Sequence, residues 1–187
     1  MTANLARMAE FFHEVGQLRH LQRSGYAFLG SGSESVAEHT CRTAVIAWAM
    51  ARMSGADASK AVLMALFHDL GEARAGDQNY VNKRYVITRE REAVADAVAG
   101  TGLEGDVLDL WDEQEERATP EAHLVRDADQ LDLLLNLKRE LELGNPQAAA
   151  WMDSVEERLL TELGKDLAGA IRAGRHTDWW LPAVVPG

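Results

Sequence analysis

The sequence predicts an all-α protein, a single bundle of helices, and three features carry that prediction. Apolar residues recur at steps of three and four along nearly every segment, no stretch alternates apolar and polar residues as a strand would, and capping residues, glycine and proline punctuate the periodic stretches. A chain of 187 residues, 47% hydrophobic with four prolines, can bury roughly two thirds of the surface its unfolded form exposes, so one core is expected.

In chain order, the first helix carries Leu5, Met8, Phe12, Val15 and Leu18 as an apolar stripe, and the second carries Val36, Thr40, Thr43 and Ala47. The segment between them, "RSGYAFLGSGSES" from Arg23 to Ser35, has no period and reads as a loop. A third helix runs from about Ala58 to Leu70, with Asp57 and Ser59 as capping candidates and Gly71 and Gly76 behind it. A second irregular stretch, "RAGDQNYVNKRYV" from Arg74 to Val86, follows. Connections of about twelve residues without structure are often functional, and these two flank the histidine-bearing segments. The fourth helix begins near Thr88, where "TRER" offers a cap, and fades at Gly100 to Gly102. The fifth spans roughly Asp106 to Arg117. Pro120 suits the first turn of a long sixth helix that "GNP" ends after Leu143. Helices near Gln147 to Leu163 and Lys165 to Ala173 complete the set. No linker or repeat divides the chain, so one domain over 1–187 is expected, with its core at about 5–143 and C-terminal helices and tail at 147–187.

The net charge of −11 argues against a nucleic-acid polymer or an anionic membrane as partner, because such surfaces need clustered lysine and arginine. An anionic ligand would have to be held by a few focused arginines or by a metal. The N-terminal segment mixes acids and a histidine into its apolar residues, unlike a secretory signal, and a cytoplasmic protein is expected. The single Cys41 has no disulfide partner in the chain and is expected to pack inside a helix bundle.

The stretch "ALFHDLGEARAGD" interrupts an apolar helix face with His68 and Asp69 and then adds Glu72 and Asp77. His39 ends "ESVAEH", and Asp129 lies in "RDADQLD" early on the long helix. Two imidazoles and two carboxylates make a donor set for one borderline divalent metal, since nitrogen ligands disfavour magnesium or calcium. Adjacent residues point about 100° apart on a helix, so His68 and Asp69 can converge only near its end, and Gly71 fits such a relaxation. Glu72, four residues after His68, falls on nearly the same helix face. Asp127 and Asp132, near Arg126 and Lys138, read as ordinary solvated charge, and His123 as a helical pair for Asp127. His13, His20 and His176 have no partner motif. Trp151, Trp179 and Trp180 read as packing or dimer residues, with "TDWWLP" as a docked tail.

On "ESVAEH", "HDLGEARAGD" and "DADQLD", in that order, the sequence resembles the HD-domain phosphohydrolases, and within them the five-prime deoxynucleotidases and related small HD-domain proteins. The resemblance spans roughly Leu5 to Leu143. It implies an HD-domain helical bundle in which His39, His68, Asp69 and Asp129 bind a catalytic metal, with Asp129 chosen over Asp127 because the ligand stands in an "AD" followed by a leucine. Cobalt, manganese, nickel, zinc and iron all suit such a site. One ion is expected, because only His123 lies between His68 and Asp129 where dinuclear members carry further histidines. The resemblance implies that Glu72 and Asp77 act on water and leaving group. It points to Arg23 and Tyr26 for phosphate and nucleoside, a guanidinium offering a fork to phosphate oxygens and a tyrosine ring a flat wall. The family's nucleotidases follow this arginine directly with tryptophan; here Ser24 follows Arg23, and the sugar preference stays open. Lys83 and Arg84 are either further phosphate contacts or part of a solvent-facing loop.

The reading is therefore a metal-dependent phosphohydrolase acting on a nucleoside 5′-monophosphate, with a homodimer implied by the resemblance. Two alternatives stand beside it: cleavage of a phosphodiester or polyphosphate nucleotide at the same metal, and a helical binding protein that keeps the metal without turnover.

Overall fold

In the computed structural model, residues 4–184 are described, so the first and last three positions of the expected domain span lie outside them. The fold is helical, as expected, with no strand among the described residues. In order, α1 (Leu5–Val15) runs into a 3₁₀ turn (Gly16–His20), followed by α2 (Tyr26–Leu29), α3 (Val36–Ser54), α4 (Ala58–Phe67), α5 (Glu72–Ala75) and a second 3₁₀ turn (Asn82–Arg84). Then come α6 (Glu90–Val98), α7 (Glu104–Glu116), α8 (Pro120–Glu142), α9 (Gln147–Glu156), α10 (Glu162–Ala173) and α11 (Leu181–Val184). No helix among these residues is long and apolar enough to cross a membrane.

The main starts are set by local chemistry. Ser35 and Glu38 form a reciprocal capping box at α3, Asp57 accepts from the amides of Ser59 and Lys60 at α4, and Thr119 caps α8 ahead of Pro120. The expected cap at Thr88 does not form, and its hydroxyl donates to Glu90 Oε1 instead.

Two cores organise the molecule. The larger joins α3, α4, α8 and α9 through Ala47, Met50, Ala51, Met64, Ala65, Leu131, Leu134 and Met152; the smaller gathers Phe11, Leu70, Val94, Val98, Val107 and Trp111. The α3 stripe of Val36, Thr40, Thr43 and Ala47 is buried as its spacing predicts. The α1 stripe is not: Leu5 and Phe12 are exposed, and the buried residues of that segment are Phe11 and, beyond the helix, Leu18. Cys41 is exposed, so its expected packing role does not hold.

Neither irregular stretch is without structure. An antiparallel bridge between Gln22 and Ser35 closes the first into a loop that contains α2, and α5 with the second 3₁₀ turn occupies the second. The expected helix from Ala58 to Leu70 stops at Phe67, and Glu72 opens the separate α5. Gly71 keeps a right-handed helical conformation, and its small size matters for another reason: a Cβ there would lie 3.0 Å from the Glu90 carbonyl oxygen.

Candidate active site

The turn after α4 builds the centre. Ala65 belongs to the larger core and Leu70 to the smaller, so His68 and Asp69 are held where the chain passes from one to the other. Leaving the helix lets both adjacent side chains face one point, which a continuing helix would prevent. The His68 Nδ1–H donates to the Ala65 carbonyl at 2.7 Å; a carbonyl only accepts, so in the neutral ring Nε2 carries the lone pair.

His39, one turn into α3, is completely buried. Its Nε2 lies 3.3 Å from His68 Nε2, 3.3 Å from Asp129 Oδ1 and 3.5 Å from Asp69 Oδ2, and His68 Nε2 is 3.2 Å from Asp69 Oδ2. The four residues named as ligands from the sequence are thus brought together from α3, the α4 turn and α8. Two imidazole nitrogens and two carboxylate oxygens converging in this way fit one divalent ion of borderline character.

The electrostatics ask for positive charge at that point. Burial opposes a charge on His39, but its hydrogen bonds to Asp129 and Asp132 outweigh burial and lift its pKa to about 10. Burial also works against an ionised Asp129, yet its bond to His39 and the charges of His39 and Arg23 hold it well below the usual carboxylate range. Asp69 is lowered in the same way, chiefly by His68, against the penalty of burial. The Arg23 guanidinium closes one side, 3.6 Å from Asp69 Oδ2 and 3.9 Å from Asp129 Oδ1.

A cavity of about 540 Å³ opens from this centre, and Arg23, Tyr26, Glu72, Asp77 and Lys83 all line it. Glu72 does not reach it as an extension of the His68 helix face, as the spacing predicted, but from the start of α5. Its buried Oε2 has no hydrogen-bond partner. Burial, and then the charges of Asp69 and Asp77, push its pKa up to about 9. Asp77 Oδ2 accepts from both the backbone N–H and the hydroxyl of Ser24, at 2.5 Å each, which ties the second loop to the segment bearing Arg23.

Several further residues stand at or behind the site. Arg126 donates to Asp129 Oδ2 at 2.9 Å and Gln130 to the same oxygen at 2.7 Å. Trp151, expected in packing or a dimer surface, lines the cavity. Asp127 and Asp132 are buried rather than solvated. Asp127 is not paired with His123: it accepts from the amides of Leu160 and Thr161 and from the Thr161 hydroxyl, which places its carboxylate at the start of α10. Asp132 bonds His39 and Arg42. Helical spacing was the available signal, since Asp132 stands three residues after Asp129 and Arg42 three after His39. At the other end, His176 finds a partner in Glu142, 2.5 Å away.

Comparison with known proteins identifies relatives of the chain. The chain is 31% identical over 146 residues to the 5′-deoxynucleotidase HDDC2 of Danio rerio, an alignment covering 74% of this chain and 72% of that protein. It is 30% identical over 191 residues to the 5′-deoxynucleotidase HDDC2 of Dictyostelium discoideum, covering 91% of this chain and all of the relative. A solved structure described as a predicted metal-dependent phosphohydrolase, from Magnetospirillum magnetotacticum MS-1, superposes with a TM-score of 0.70 at 25% identity, over 90% of this chain and 93% of that one. The family model described as HD domain matches residues 15–171, which takes in every residue of the centre, and the chain belongs to the HD-domain family.

Proposed function

We propose that the protein hydrolyses nucleoside 5′-monophosphates to nucleoside and phosphate, using one divalent metal held by His39, His68, Asp69 and Asp129. The observation that carries the reading is the convergence of those four donors, with His39 Nε2 3.3 Å from both His68 and Asp129, on a cavity that also presents Arg23, Glu72 and Asp77. Relatives named 5′-deoxynucleotidase support the substrate class and favour the deoxyribose form.

A bound divalent ion would supply Lewis acidity, polarising a phosphoryl oxygen and making water easier to deprotonate. The chain's own groups divide the rest. Arg23 offers its guanidinium fork to the nonbridging oxygens. Glu72, ionised once a divalent cation offsets the charges of Asp69 and Asp77 that it faces, would take a proton from the water that attacks phosphorus. The proton taken by Glu72 is relayed through Asp77, which Ser24 holds through Oδ2, to the O5′ leaving oxygen as the P–O bond breaks. Tyr26 supplies a wall for the sugar, and Lys83, exposed on the cavity rim, a further phosphate contact. A homodimer belongs to the same proposal, supported by the apolar side chains that α1 leaves exposed at Leu5 and Phe12; light scattering decides it.

The test is phosphate release from a panel of nucleotides by metal-loaded protein. Nucleoside monophosphates should be turned over, and Asp69→Ala should lose both metal and activity while keeping its helicity. Cleavage of a cyclic or linear phosphodiester with no release from any monophosphate would replace this reading.

A further inference from the structure

Next to the metal centre, outside the cavity lining, lies a second cluster of charged groups that no step of the proposed reaction uses. Asp132, on α8 and completely buried, accepts from His39 Nδ1 at 2.7 Å through Oδ2, and the Thr43 hydroxyl stands 3.4 Å from the same nitrogen. The other oxygen of Asp132 accepts from Arg42 Nε at 2.5 Å, and Arg42 Nη2 donates to the Asp132 carbonyl at 3.2 Å. The same Nη2 donates to Glu34 Oε1 at 3.0 Å, and Glu34 Oε2 accepts from the Tyr26 hydroxyl at 3.3 Å.

Glu34, His39 and Asp132 lie close enough together to be mistaken for a second metal site. The chemistry excludes it. Both carboxylates are engaged by the Arg42 guanidinium, and His39 Nδ1 faces a carboxylate acceptor, so that nitrogen carries a proton and has no lone pair to give. A buried carboxylate would be costly if unpaired, and here Arg42 pairs it. What the arrangement does is fix one imidazole. With Nδ1–H committed to Asp132, the lone pair of the neutral His39 ring falls on Nε2, the atom that faces His68, Asp69 and Asp129.

We propose that Asp132 is a positioning residue for the metal centre, holding the His39 ring and tautomer, and that Arg42, braced by Glu34, holds Asp132 in turn. This rests on the reading of His39 as a ligand. The brace runs through Glu34 to Tyr26, so the ligand and a wall of the substrate cavity share one hydrogen-bonded frame. Partners of this kind typically change metal affinity by roughly 10- to 100-fold when removed.

The experiment measures zinc affinity of the full chain by competition with a chromophoric chelator, with histidine nitrogen NMR on the same samples. Asp132→Asn should weaken zinc about 10- to 100-fold, and the slowly exchanging His39 Nδ1–H signal should be lost or shifted in the loaded protein. Arg42→Gln, at a side chain partly open to solvent, should move both in the same direction by less. Asp127→Asn is the control, because Asp127 is equally buried on the same helix but serves α10; it should lower the melting temperature and leave zinc affinity unchanged. His39→Ala separates the two levels: if it keeps zinc at full affinity, the ligand reading fails. If it loses zinc while folded Asp132→Asn and Arg42→Gln both keep wild-type affinity and the Nδ1–H signal, the positioning role is overturned. Should Asp132→Asn fail to fold, Arg42→Gln alone decides, unchanged affinity and signal counting against the proposal.

Discussion

Glu72 departs far from the ordinary behaviour of a carboxyl group. Its pKa rises from an ordinary value of 4.5 to about 9 because the carboxyl is buried and faces Asp69 and Asp77. A folded pKa above the unfolded one means that the metal-free fold has its full stability below about pH 4.5 and loses the Glu72 share progressively as pH rises through about 9. Replacing Glu72 by Gln removes that charge at nearly constant size. In metal-stripped protein the variant should therefore melt above wild type, with a gap that widens from pH 5 to pH 9 and then levels; a pH-independent gap would mean that the carboxylate is solvated. The same variant should lose about 10²- to 10⁴-fold in turnover with its metal content near wild type, the usual range for a general base. Among single residues, the convergence of His39, His68, Asp69 and Asp129 was legible through the family resemblance, which carries their types and their order along the chain. Asp132 and Arg42 were not, because a charged residue on a helix reads as solvated until its neighbours are known, and His39 is the neighbour that gives them meaning. Trp151 was missed for the same reason, since nothing local distinguishes a core tryptophan from one that faces a cavity.

At the scale of elements, the long, well-capped helices α3, α4 and α8 were readable from their periods, whereas α1 shows how a period can mislead. Its stripe through Leu5 and Phe12 is a true helical pattern, but burial goes to Phe11, because the direction in which a helix docks is set by what it docks against. The end of α4 was also displaced: the apolar run continues through Leu70, yet Leu70 belongs to the other core, and the chain must turn at His68 to deliver it. The junction of α8 and α10 yields a prediction of opposite signs on one helix. Gly164 sits against the Asp127 carboxylate that accepts from Leu160 and Thr161, and an added Cβ would drive into that carboxylate. Gly164→Ala should therefore lose roughly 1–3 kcal/mol as a buried acceptor is displaced from its donors. Gly169→Ala, where a Cβ meets nothing within 4 Å, should gain up to about 1 kcal/mol from helix propensity alone. Thermal melts of the two variants check the pair, and a shared sign would remove Asp127 from its role at α10.

For the whole molecule, the proposed metal centre would work as a clip between distant parts of the chain. Its donors come from positions 39, 68, 69 and 129, on α3, the turn after α4 and α8, and that turn is also where the larger and smaller cores meet. A metal bound there joins three elements in the folded state and finds no such set in the unfolded chain, so binding and stability are linked. At a free metal concentration 100 times the dissociation constant, the linkage is worth about 2.7 kcal/mol. For a chain of this size each kcal/mol moves the melting temperature by roughly 2–4 °C, so adding metal to stripped protein should raise it by roughly 5–11 °C. Chelation should reverse the shift. Asp69→Ala should abolish the response, whereas Glu72→Gln, outside the ligand set, should keep it. The difference between the two proteins then shrinks with loading: stripped Glu72→Gln melts above stripped wild type, and the ion narrows the gap by adding positive charge beside Glu72, Asp69 and Asp77 to that of Arg23. If metal raises the melting temperature of Asp69→Ala as much as that of wild type, the ion binds elsewhere, and the convergence on His39 is a cluster of buried ion pairs rather than a clip.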